Sequence, residues 1–89
     1  IDLETKYYLR LNVADRPGVF AQIARLLGEM QISISSVIQK GTDDVTQRAE
    51  IVLMTHHAQE GAMQQAIKQL SGLDVVNEIG NLIRVEEWT

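Results

Sequence analysis

The segment Asn12-Val13-Ala14-Asp15-Arg16-Pro17-Gly18-Val19-Phe20 concentrates the groups in this chain best suited to chemistry. Asp15 stands three residues ahead of a glycine, and the apolar run that follows has helical spacing. An acidic side chain therefore lies beside a helix N-terminus, with its free N–H groups and partial positive charge. That combination suits a zwitterion: the amides of Gly18, Val19 and Phe20 would hold an α-carboxylate, and Asp15 would face the α-ammonium. Gly18, lacking a Cβ, lets a ligand approach the backbone. The same residues also make an ordinary helix start, with Asp15 as cap, Pro17 in the first turn and Gly18 easing packing. On residue types alone both uses stand, and Arg16 reads as a solvated side chain.

Other chemistries find less support. His56-His57 is the only histidine pair, and adjacent histidines at a strand end point in different directions, a poor arrangement for one metal ion. No G-x-S-x-G elbow or Ser/His/Asp arrangement is present, and Asp43-Asp44 reads as a hairpin tip rather than a calcium loop. The absence of cysteine excludes disulfides, thiolate zinc sites and cysteine nucleophiles, and fits a cytoplasmic location. Twelve acidic against eight basic residues give a net charge of -4 without a basic cluster, which disfavours nucleic acid. An RNA-binding sheet would also need stacked aromatics, and Tyr8 stands alone on its face. Apolar runs are only a few residues long, as at 51–54, so neither a membrane span nor a signal-peptide core is expected.

The elements that position the turn follow from periodicity. Tyr7, Leu9, Leu11 and Val13 alternate with polar residues over 6–13, predicting a half-buried strand. Phe20, Ile23, Ala24, Leu27 and Met30, flanked by Val19 and Leu26, recur at helical steps and predict a core-facing helix. A second strand is expected over 31–40, closed by Gly41-Thr42-Asp43-Asp44, and a third over 47–55 forms a hairpin with it. A second helix is expected over 58–70, stopped at Ser71-Gly72, and a last strand over 75–85 has an uncertain start. The order β-α-β-β-α-β, with right-handed crossovers, gives an α+β, ferredoxin-like plait: a four-stranded antiparallel sheet, strands one and three central, both helices on one face. With 89 residues, 45% of them hydrophobic, one domain spanning 1–89 is expected, and the start at Ile1 suggests a fragment of a longer protein.

At Asp15-Arg16-Pro17-Gly18-Val19-Phe20, its apolar helix and Ile32-Ser33-Ile34, the chain resembles the ACT domain family of amino-acid sensors. More narrowly, Ser36-Val37-Ile38-Gln39-Lys40, Met54-Thr55-His56 and Ile83-Arg84-Val85-Glu86 resemble the C-terminal ACT domain of homoserine dehydrogenases. The resemblance implies a non-catalytic regulatory module without a cofactor of its own, attached to the catalytic domain of an NAD(P)-dependent enzyme. The implied effector is an amino acid, threonine, held between the first turn of one domain and strand two of a neighbour. The implied site is Asp15, Arg16, Pro17, Gly18, Val19 and Phe20, with Ser33 standing where many relatives have asparagine. The exposed edge of strand two, rich in serine, is the expected homodimer contact. Two other readings are a dimerisation module without ligand and the ACT domain of another biosynthetic enzyme, such as phosphoglycerate dehydrogenase.

Overall fold

The alternating first segment is β1 (Glu4–Ala14), whose Tyr7, Leu9, Leu11 and Val13 are almost wholly buried while the intervening side chains lie on the opposite face. The computed structural model describes residues 4–85. After β1 come α1 (Val19–Glu29), β2 (Ile34–Asp43), β3 (Arg48–Thr55), β4 (Ala58–Gln59), α2 (Glu60–Leu70) and β5 (Val76–Val85). All pairings are antiparallel. β1 lies between β3 and β5, and β2 pairs the outer side of β3, so strands one and three are central as expected. Val19, Ile23 and Leu27 of α1 join Met63, Ala66 and Leu70 of α2 in one core with the buried face of β1, which places both helices on that face.

The sheet has one more strand than its periodicity predicts. Regular β1–β3 pairing runs from Ala14↔Arg48 to Tyr8↔Met54 and then stops. The next amide, that of Tyr7, donates instead to the hydroxyl of the fully buried Thr55 at 3.0 Å. Pairing resumes one residue out of step, at Thr5↔Ala58 and Glu4↔Gln59, so Ala58 and Gln59 are strand rather than helix and α2 starts at Glu60. His56 and His57 bridge the gap, and the His56 amide donates to the Ser33 carbonyl at 2.9 Å.

The second strand also differs from expectation. Gln31, with φ 63°, ends α1 in the left-handed region, and the Ile32 amide returns to the Leu27 carbonyl at 2.9 Å. This helix-closing motif delays the strand to Ile34. At its other end the strand does not stop at Gly41: a φ of 110° there absorbs a register shift between Gln39 and Thr42, and the turn falls at 44–47. Phe20, expected in the core, is 40% exposed, because one helical step from buried Val19 carries it about 100° around the axis. In β5, the polar stretch 77–81 is continuous strand, its register shifts matched against Arg10/Leu11 and Asn12/Val13. An ion pair between Arg84 and Glu60 ties the end of β5 to the first turn of α2.

Candidate functional site

Arg16-Pro17-Gly18-Val19 forms a type II turn. Gly18 has φ 85° and ψ -9°, the values of the third turn position, and the Val19 amide points back to the Arg16 carbonyl at 3.5 Å. Proline supplies the preset φ of the second position and glycine the positive φ of the third. Pro17 therefore lies in the turn, two residues ahead of α1, rather than in the first helical turn. No side chain caps α1, so the helix-capping use of Asp15 does not hold. The Gln22 amide donates to the Gly18 carbonyl at 3.1 Å, which begins the helical ladder.

Three amides in this segment, those of Gly18, Phe20 and Ala21, have no acceptor among the described residues. The expected trio differs by one member, because the Pro-Gly turn occupies the Val19 amide and leaves that of Ala21 in its place. Asp15, Arg16, Pro17 and Gly18 are all exposed, Val19 is buried and Phe20 lies partly open beside them. The Asp15 carboxylate and the Arg16 guanidinium have no protein partner among the described residues. A cation-accepting carboxylate and a set of anion-accepting amides thus share one exposed turn, an arrangement that matches the two ends of an α-amino acid.

Two backbone bonds hold the start of this turn. The Ala14 amide donates to the Val75 carbonyl and the Asp15 amide to the Gln47 carbonyl, each at 2.8 Å. Gln47 belongs to the β2–β3 turn and has a left-handed φ of 59°. Its own amide donates to the Asp43 carbonyl at 2.7 Å, while the Asp43 carboxylate accepts the amides of Val45 and Thr46 at 2.9 and 3.3 Å. Those two bonds, Thr46 first, hold the Asp43 carboxyl below the usual carboxylate range.

Ser33 does not join Asp15 within one chain. It pairs with His56 beyond one end of β3, and Asp15 pairs with Gln47 beyond the other. At about 3.3 Å per residue, the two lie roughly 30 Å apart along the sheet. The Ser33 hydroxyl makes no bond among the described residues, whereas that of Ser35 donates to the Met54 carbonyl at 3.1 Å.

On the open face, Arg10 Nη2 donates to the Tyr8 hydroxyl at 3.3 Å and Nε lies 3.1 Å from Glu50. This local ion pair offsets the charge of Arg10. Among the described residues no group of His, Asp and Glu could hold a metal ion, and no helix is long and apolar enough to cross a membrane.

Comparison with known proteins places these observations. Residues 7–75 match the model of the ACT domain family. A homoserine dehydrogenase from Methylobacillus glycogenes is 37% identical over 86 residues, covering 97% of this chain and 21% of that protein. The crystal structure of a homoserine dehydrogenase from Thiobacillus denitrificans superposes with a TM-score of 0.85 at 37% identity, over 97% of this chain and 18% of that one. The ACT domain of the GTP pyrophosphokinase of Chlorobium tepidum shares the fold, with a TM-score of 0.66 at 15% identity over 92% of this chain and 99% of that one. The chain thus spans about a fifth of the length of the homoserine dehydrogenases it matches. A family match across most of the chain, a plait with its helices on one face and a glycine-dependent turn ahead of α1 together make this chain a member of the ACT domain family.

Proposed function

We propose that the chain is the regulatory domain of a homoserine dehydrogenase and binds threonine at the 15–18 turn, so that the end product of the pathway controls the attached enzyme. The observation that carries the reading is the exposed Asp15 carboxylate beside the unpaired amides of Gly18, Phe20 and Ala21. The similarity to homoserine dehydrogenases supplies the parent reaction, an oxidoreduction. NAD(P) would be held by the rest of that parent: the six glycines here stand singly and make no glycine-rich phosphate loop, so no step of that chemistry is assigned to these residues.

A second copy completes the site in this reading. β2 is exposed along nearly its whole length and has no partner on its outer side among the described strands. A two-fold antiparallel pairing of β2 with its copy reverses strand direction, which brings Ser33 of one protomer to the end of the sheet where its partner's 15–18 turn lies. Ser33 would then offer its unbonded hydroxyl to the effector.

Calorimetric titration of the intact protein with threonine tests the assignment. Saturable heat is expected, with binding lost in Asp15→Ala while the oligomer persists; no heat at millimolar threonine defeats it. One observation favours a second reading, that of an association module without ligand. Position 33 is a serine, whose hydroxyl reaches less far and offers fewer hydrogen bonds than the asparagine carboxamide that the family resemblance implies there. Feedback inhibition that survives Asp15→Ala, with unchanged oligomers, would select that reading.

A further inference from the structure

The turn between β2 and β3 lies outside the proposed ligand contacts, yet its backbone reaches into them. Asp15 is the first residue past β1, and the chain immediately afterwards is committed to a Pro-Gly turn. The orientation of Asp15 therefore rests on its amide bond to the Gln47 carbonyl, at 2.8 Å. That carbonyl is aimed by an unusual residue: Gln47 has φ 59°, a conformation costly for any side chain and common only for glycine, with asparagine and aspartate next. The strain is held by Asp43, whose carbonyl takes the Gln47 amide at 2.7 Å and whose carboxylate takes those of Val45 and Thr46. The loop tip carries Val45, 92% exposed.

We propose that Asp43 and Gln47 are positioning residues for the effector turn: the carboxylate-braced hairpin loop holds Gln47 left-handed, and Gln47 in turn fixes Asp15 through its amide. This rests on the reading of 15–18 as the effector site and adds a control to it, because any contact that reshapes the loop tip changes the geometry of Asp15. The bond to Asp15 comes from the Gln47 backbone, and the Gln47 side chain makes no hydrogen bond among the described residues, so the residue at 47 matters through the conformation it permits.

The experiment compares Gln47→Gly, which tolerates the left-handed φ, with Gln47→Val, which disfavours it, in the intact protein. Hydrogen exchange of the Asp15 amide is resolved by mass spectrometry, with the Leu9 amide as a core reference, and threonine affinity is measured by calorimetry. Gln47→Val is expected to lose protection at Asp15 but not at Leu9 and to bind threonine roughly tenfold more weakly, while Gln47→Gly behaves as wild type. Asp43→Ala should repeat the loss and Asp43→Asn, which keeps a side-chain acceptor, should largely restore both. A loop that merely stabilises the fold would lower the melting temperature with Asp15 protection and affinity unchanged, and that result overturns the proposal. Wild-type protein that binds no threonine defeats the effector assignment and this proposal with it. Wild-type binding with equal affinity in all four variants overturns the positioning role alone.

Discussion

Nothing lies within 4 Å of the point where a Cβ on Gly18 would sit, so a side chain there meets a torsional penalty rather than a clash. At φ 85° that penalty is on the order of 1–2 kcal/mol for alanine. For a domain of this size it corresponds to a fall of roughly 4–15 °C in melting temperature. Gly18→Ala is expected to melt in that range below wild type by calorimetry; an unchanged transition would mean that the turn has another conformation in solution. The Pro-Gly pair was legible as a turn from residue types, and its type II geometry then dictates which amide is used internally. Asp15 was legible only as a choice between two uses. The choice turns on whether its carboxylate finds a helical amide, a tertiary fact that spacing does not contain, and it finds none.

At the scale of elements, strands with a strict two-residue period were the most readable: Tyr7, Leu9, Leu11 and Val13 form one buried row as their alternation requires. The two-residue β4 was not readable, since Ala58-Gln59 is too short to show a period and its place follows from a side chain elsewhere. Thr55 is that side chain. Its hydroxyl replaces a backbone acceptor for Tyr7 at the point where β1 changes partner from β3 to β4. Thr55→Val preserves shape while stranding a buried amide, so a loss of about 1–3 kcal/mol is expected in chemical denaturation. Thr55→Ser should recover most of it. If valine proves as stable as threonine, the break in the ladder has some other support. Phe20 shows the opposite failure of local reading: its spacing matches a helical stripe, but the buried row is Val19, Ile23 and Leu27, and one step around the axis leaves Phe20 partly exposed.

At the scale of the whole molecule, the 10 residues of β2 present an edge that a single chain leaves open, with Val37 41% and Ile38 59% exposed. Such an edge invites a further strand, and its ionisable residues, Lys40 and Asp43, sit toward one end. Pairing with a copy would cover the two apolar side chains and join the two halves of the proposed site, which one chain holds roughly 30 Å apart. Assembly and effector binding should therefore fail together. Val37→Lys with Ile38→Lys places like charges along the edge, where they face each other across a two-fold axis; Val37 stands opposite buried Leu53 of β3 and Ile38 opposite Val52, so the melting temperature is followed alongside. Light scattering after size exclusion should show the doubly substituted protein dissociating at this contact, and calorimetry should show threonine affinity reduced at least tenfold, the loss expected from one well-placed hydrogen bond together with its partner surface. Dissociation with full affinity would mean that one protomer suffices, and Ser33 would then have no part in the site. Retained assembly with lost affinity would move the contact to another surface and leave the edge strand as a direct determinant of binding.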